Sequence, residues 1–116
     1  MLDELRTIVQ GNQKALFVML IFIALDVVSG VVDAIIKHEL NSTKLKEGIY
    51  HKLLELLLVI AGIALDWLLE ADYITYSVLV SFVAMEGISI LENVGSYIPL
   101  PDVLKEVLGK LNGKVE

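Results

Sequence analysis

Residues 15–36 read ALFVMLIFIALDVVSGVVDAII. About 22 residues of helix reach roughly 33 Å, enough to cross the hydrocarbon core of a bilayer. The run is too long for the apolar core of a cleavable signal. No small-x-small cleavage site follows it, and acidic residues come next. Two further apolar segments follow, LLELLLVIAGIALDWLL at 53–69 and YITYSVLVSFVAMEGISIL at 73–91. Only Glu70, Ala71 and Asp72 separate these two, so they must run antiparallel as a helical hairpin. The expected fold is an all-α membrane protein with three transmembrane helices, at 15–36, 53–69 and 73–91.

The flanks are polar or amphipathic. Residues 1–14 place Leu2, Leu5, Ile8 and Val9 at helical spacing, the pattern of a short interfacial helix. Residues 37–52, KHELNSTKLKEGIYHK, read as a polar loop in which Ser42 caps a helix beginning just after it. Residues 92–116 form an amphipathic tail. Pro99 and Pro101 stop any helix arriving from the third segment, and Asp102 caps a new one. Val103, Leu104, Val107, Leu108 and Leu111 then share one face, with Lys105, Glu106 and Lys110 elsewhere.

Composition agrees. Of 116 residues, 56% are apolar, and the mean hydropathy is +0.73; an ordinary soluble domain sits near about 45–50% apolar. Disorder and collagen-like repeats are excluded. The net charge is −6, and no basic patch is dense enough for nucleic acid. There is no Cys, hence no disulfide or thiolate site. The two histidines, His38 and His51, lack a third ligand, so no metal or other cofactor is expected. Asn41-Ser42-Thr43 matches a glycosylation sequon by chance. No nucleophile–base pair can be assembled, and the chain does not read as an enzyme.

Two patterns orient the chain. Tyr50, Trp67, Tyr73, Tyr76 and Tyr97 all lie at segment ends, as interfacial anchors do. Lysines gather in 37–52 and in the tail, and none falls in the 70–72 turn. The positive-inside rule puts the first loop and the C-terminus in the cytoplasm and, with three spans, the N-terminus outside. Arg6 and Lys14 weigh against that orientation.

Each span also carries polar residues on one face. Asp26, Ser29, Gly30 and Asp33 form one stripe; Glu55, Gly62 and Asp66 a second; Glu86, Ser89 and Asn93 a third. A central Asp costs about 2.5–3.5 kcal/mol on insertion scales, whereas each Leu, Ile, Phe or Val returns about 0.3–0.6. The first span therefore inserts marginally and needs its stripe covered or wetted. The stripes can pack inside one three-helix bundle, or meet between subunits or line water. A proton-relay or ion-coordinating role for Asp26 or Glu86 is a third reading.

The end of the third segment reads Glu86-Gly87-Ile88-Ser89-Ile90-Leu91-Glu92-Asn93, followed by Ile98-Pro99-Leu100-Pro101 and a Leu-rich amphipathic helix. This resembles the phage holin family of the toxin-secretion/phage-lysis type, with its E-x-x-S-I-x-E-N block, Gly-containing link, Pro and Leu-rich tail. Asp26-x-x-x-Gly30, Asn41-Ser42, Gly48-x-x-x-Lys52 and Asp66 match as well. The resemblance spans about residues 20–112. The link Gly95-Ser96-Tyr97 departs from the family's shorter step, which bears on local geometry only.

The resemblance implies a holin. Such a protein homo-oligomerises in the bacterial inner membrane and forms non-selective lesions. These release an endolysin, or a large toxin, as cargo without stable binding, and the host lyses. It also implies that Asp26, Gly30, Asp66, Glu86, Ser89, Glu92 and Asn93 govern assembly. The alternatives are a small ion channel or transporter subunit, and a regulatory antiholin-like membrane protein.

Overall fold

Only two prolines occur, both between 99 and 101, so nothing ahead of them forbids helix. The structure, a computed structural model, describes residues 1–115, the side chains of Leu108 and of residues 111–115 excepted. It contains five helices: α1 (Leu2–Gly11), α2 (Gln13–Ile36), α3 (Ser42–Leu69), α4 (Ile74–Gly95) and α5 (Asp102–Val115). No strand occurs among the described residues. The all-α expectation holds.

Short polar breaks separate the helices. Asn12 parts α1 from α2; it is buried, and its side-chain Nδ2 donates to the Ile8 carbonyl at 2.9 Å. The expected loop at 37–52 shrinks to 37–41, because α3 starts at Ser42. Its cap is Asn41, not Ser42. Asn41 is extended, and its Oδ1 accepts from the Thr43 amide at 2.8 Å. The residues that follow, Lys44 to Lys52, include several good helix formers, so α3 forms well ahead of its apolar half. Asp102 is likewise the first helical residue of α5 rather than a cap: the Pro101 carbonyl accepts from Leu104 and Lys105. Leu108 and Leu111, assigned to the apolar face of this helix, have side chains outside the described residues.

α3 ends at Leu69 with Glu70 in the left-handed region (φ 53°). Asp66, one turn earlier, caps the next helix across the turn. Its carboxylate accepts from the amides of Ile74 (3.0 Å) and Thr75 (2.9 Å) and from Thr75 Oγ1 (2.6 Å). The donors that α4 would leave orphaned at its N-terminus are thereby met inside the fold.

α4 is central. α2 lies parallel to it, so that Phe22 meets Gly87 and Gly30 meets Asn93, while α3 runs antiparallel. At the hairpin end the backbones of α3 and α4 approach closely: a Cβ at Gly62 would lie 3.4 Å from Thr75 Cα. Met19, Val59 and Leu79 form the core, bordered by Leu16, Ile23, Leu56 and Phe82. α5 folds back so that Leu104 and Val107 border the same cleft as Phe22, Val83 and Gly87. α1 rests on the hairpin end, where Glu4 accepts from the Trp67 indole N–H.

Two helices, not three, are long and apolar enough to cross a membrane: α2 (mean hydropathy 2.7) and α4 (1.8). The apolar half of α3 differs in charge: Glu55 and Asp66 lie within it and Lys52 at its edge, three charged residues over the length of one span.

Burial is inverted relative to a water-soluble domain. Asn12, Glu55, Asp66, Thr75 and Glu86 are buried. Leu53, Leu54, Leu57, Leu58, Leu68 and Leu69 of α3 and Phe17, Leu20, Ile21, Leu25 and Val28 of α2 are exposed. Soluble proteins almost never bury carboxylates while turning a leucine-rich face outward.

Asp66→Ala strips the cap from α4 and leaves buried donors unmet. It should destabilise the protein by about 1–3 kcal/mol, read as a lowered Tm by circular dichroism in detergent micelles. Gly62→Leu should do at least as much by forcing α3 off Thr75.

Candidate functional site

The stripes of α2 and α4 face each other, and α3 adds a cation. α4 presents Glu86 and, two turns on, Asn93; α2 presents Asp26 and Ser29. From α3, the Lys52 ammonium donates to Asp26 Oδ2 at 2.7 Å and to Glu86 Oε2 at 2.8 Å. All three side chains are shielded, at 13%, 14% and 3% relative exposure. Asn93 Nδ2 donates to Ser29 Oγ (3.0 Å) and, at the limit of bonding distance, to Asp26 Oδ1 (3.4 Å). Ser29 Oγ in turn donates to the Asp26 carbonyl at 3.1 Å. One ammonium and one amide thus tie three helices together.

Gly30 allows this approach, since a Cβ there would already lie 3.6 Å from Asn93 Nδ2. Ser89 is half-buried and borders, with Asp26, Gly30, Lys44 and Lys52, a cleft of about 360 Å³. Glu55 is buried beneath Lys52, with its Oε1 3.5 Å from His51 Nε2. Asp33 stands apart from the Lys52 cluster. It pairs with Lys37 at 3.3 Å and accepts from the Tyr97 hydroxyl at 2.8 Å. That hydrogen bond first, then partial desolvation and the charge of Asp33, hold the Tyr97 phenol above the usual tyrosine range. Glu92 is exposed, and no side-chain partner meets it among the described residues. Gly62 and Asp66 lie at the opposite, hairpin end.

Of the residues singled out from sequence, Asp26, Ser29, Gly30, Glu86, Ser89 and Asn93 therefore converge. Asp33, Gly62, Asp66 and Glu92 do not join them. Tyr50, Trp67, Tyr73, Tyr76 and Tyr97 are all exposed, the last four near helix ends; Tyr50 lies more than two turns inside α3, because that helix starts at Ser42. Val103, Leu104 and Val107 are exposed as well, with Leu104 and Val107 at the cleft against α2 and α4.

Sequence reasoning missed Lys52, the central cation, by placing it in a loop. The signal was present: Lys52, Glu55, Val59, Gly62 and Asp66 recur at steps of three and four, one continuous helical face. Thr75, which meets Asp66, was also missed, although it stands eleven residues before Glu86 and so on the same face of α4 as the third stripe.

A small helical protein with ions inside and leucines outside is a membrane protein by class. The chain belongs to the bacteriophage holin family, which it matches over residues 5–113. It is 31% identical over 100 residues to a probable holin of Bacillus phage phi105, covering 84% of this chain and 74% of the relative. It is 36% identical over 102 residues (85% and 77%) to an uncharacterized 14.9 kDa protein from the nagH 3′ region of Clostridium perfringens. A second Clostridium perfringens protein is 35% identical over 99 residues (83% and 73%). No solved structure matches the chain. The holin family is not an enzyme family.

Lys52→Met should destabilise the bundle by about 3–5 kcal/mol, because two shielded carboxylates lose the cation they share. Adding Asp26→Asn and Glu86→Gln to it should recover most of that loss, measured by thermal unfolding in micelles. A pH effect follows at Tyr97. Its folded value lies above the unfolded one, so the Asp33 contact stabilises below the ordinary tyrosine range and is lost as pH rises through the raised value. An ultraviolet titration should show a phenol ionising above the usual tyrosine range, and Tyr97→Phe should remove that component.

Proposed function

We propose that this chain is a lesion-forming holin of a bacterial inner membrane. The reading rests on one observation: an ion-paired interior wrapped in an apolar exterior, in a chain of this family. Under it α2, the apolar half of α3, and α4 all cross the bilayer, near 15–36, 53–69 and 73–91. The parallel α2 and α4 with antiparallel α3 support that count, since an up-down-up path brings Lys52 level with Asp26 and Glu86. The loop after α2 and the tail lie in the cytoplasm, and the N-terminus lies outside, following the lysine bias.

The mechanism has two arrangements. In the single bundle, Asp26, Ser29, Glu86 and Asn93 satisfy one another and Lys52. In a ring of many copies the same stripes turn toward water, where each charge is hydrated separately. Lipid supplies no hydrophobic drive between helices, so a few kcal/mol separate the two. Mass action favours the ring as copies accumulate. A change of potential acts on any charge that moves, at about 2.3 kcal/mol per charge per 100 mV. The ring is non-selective and passes an endolysin, or a large toxin, without holding it. Glu92, exposed at the end of α4, and the α5 face carrying Val103, Leu104 and Val107 are further positions for contacts between copies.

The test is induction in a bacterium with and without a co-expressed endolysin, following optical density and membrane potential. A holin collapses the potential in both cultures and clears only the one with endolysin. Selective conductance without passage of folded protein would point instead to a channel, and suppression of a partner's lysis to an antiholin. Asp26→Leu removes the wet point of α2, so it should strengthen insertion and shift or abolish lysis. Unchanged timing together with unchanged oligomer size would refute the role of the stripe.

A further inference from the structure

Two clefts share the seam between α2 and α4. The larger, about 730 Å³, lies at the hairpin end beside the break between α1 and α2. Gln10, Gln13, Lys14 and Tyr76 form its polar end, and Phe17, Val18, Val80 and Val83 its apolar walls. Val83 also borders the smaller cleft, about 230 Å³ and wholly apolar, which Phe22 and Gly87 line and Leu104 of α5 flanks. The seam is therefore polar at one end only. From Tyr76 to Gly87, α4 rises about 16 Å, close to the depth of one leaflet, about 15 Å. Charge at the polar end is one-sided. Lys14 has no ion-pair partner among the described residues, and no carboxylate lines the larger cleft. Asp66 and Asp72 border a different one, and Asp66 is already engaged in the cap of α4.

We propose that this seam binds one anionic phospholipid of the phosphatidylglycerol class. Its phosphate pairs with the Lys14 ammonium. The amides of Gln10 and Gln13 and the Tyr76 hydroxyl serve the hydroxyls of its headgroup. One acyl chain runs down Phe17, Val18, Val80 and Val83 toward Phe22 and Gly87. Charge selects the lipid: the ammonium of a zwitterionic headgroup would find no carboxylate on this rim, whereas an anionic one meets a single unopposed cation. The apolar walls continue the exposed face of α2, which carries Leu20 and Ile21, so the chain enters from the side. Bulk lipid solvates that chain nearly as well as the seam does. The walls therefore decide where the lipid lies, and Lys14 decides which lipid it is. The site rests on the chain's membrane class and not on lesion formation.

Native mass spectrometry of the full-length protein in micelles tests the site, titrating phosphatidylglycerol against phosphatidylcholine with the same acyl chains. The wild type should retain one phosphatidylglycerol per protomer at concentrations where phosphatidylcholine is lost. Lys14→Gln should weaken that retention by about fivefold or more and leave phosphatidylcholine unchanged. Lys46→Gln, an exposed lysine of α3 outside the seam, should alter neither. Val83→Trp fills the groove and should abolish retention; if that variant does not fold, Val80→Trp, at an exposed position, replaces it. Glycerol 3-phosphate, a phosphate without chains, should not displace the lipid. Equal retention of the two lipids, a preference that survives Lys14→Gln, or displacement by glycerol 3-phosphate would overturn the proposal. So would a dimer that Val83→Trp dissolves and that takes up no lipid, since a second copy would then occupy the groove. A protein that retains phosphatidylglycerol yet leaves membranes intact in the induction assay refutes the holin reading and keeps the site; a lytic protein without the preference does the reverse.

Discussion

Lys52 is the point on which the bundle turns. Without its ammonium, Asp26 and Glu86 would be two shielded negative charges on adjacent, parallel helices, an arrangement no lipid-facing protein sustains. With it, each carboxylate gains a charge-assisted bond shorter than 3 Å, and α3 is fixed in register against both partners. The register has a consequence one helix length away. It brings Gly62 to Thr75 and Asp66 to the first turn of α4, so the same helix that donates a cation at one end donates a cap at the other. Between these polar ends lies a small apolar core of Met19, Val59 and Leu79. The two ends set the alignment that the core packs into, since apolar contacts of this kind tolerate sliding and an ion pair does not.

Much of this was legible in the sequence, and the limits have physical causes. Helix existence and the apolar segments follow from length and hydropathy. The polar stripes follow from period: residues seven apart share a face, which is why Asp26, Ser29 and Gly30 could be grouped. Period does not say which face meets which. Asp33 belongs to the Asp26 stripe by spacing, yet in the fold it turns to Lys37 and Tyr97, because α2 extends past the Lys52 level there. The loop at 37–52 was misread because charged residues dominate it. Lys, Glu and Leu are helix formers as well as solvated ones, and one asparagine side chain at 41 settles where the helix begins. The third apolar segment was read whole, whereas the second mixes its apolar face with Lys52, Glu55 and Asp66. Those residues make it a poor span by composition and a good partner by geometry.

The same mixture explains why the bundle is held together loosely. In water, burying leucines would hold such a bundle together, but here most leucines of α3 face outward and α2 buries only Met19 fully. Lipid solvates those faces as well as another helix would. What remains to hold the helices is a handful of polar contacts and a few close approaches at Gly30, Gly62 and Gly87. Polar contacts between membrane helices are individually modest, because separated helices find other partners. Water entering between α3 and α4 would be such a partner for Lys52, Asp26 and Glu86 alike. A bundle held chiefly by interactions that water can replace is stable while its seams are dry, and it loses that advantage wherever water enters between the helices.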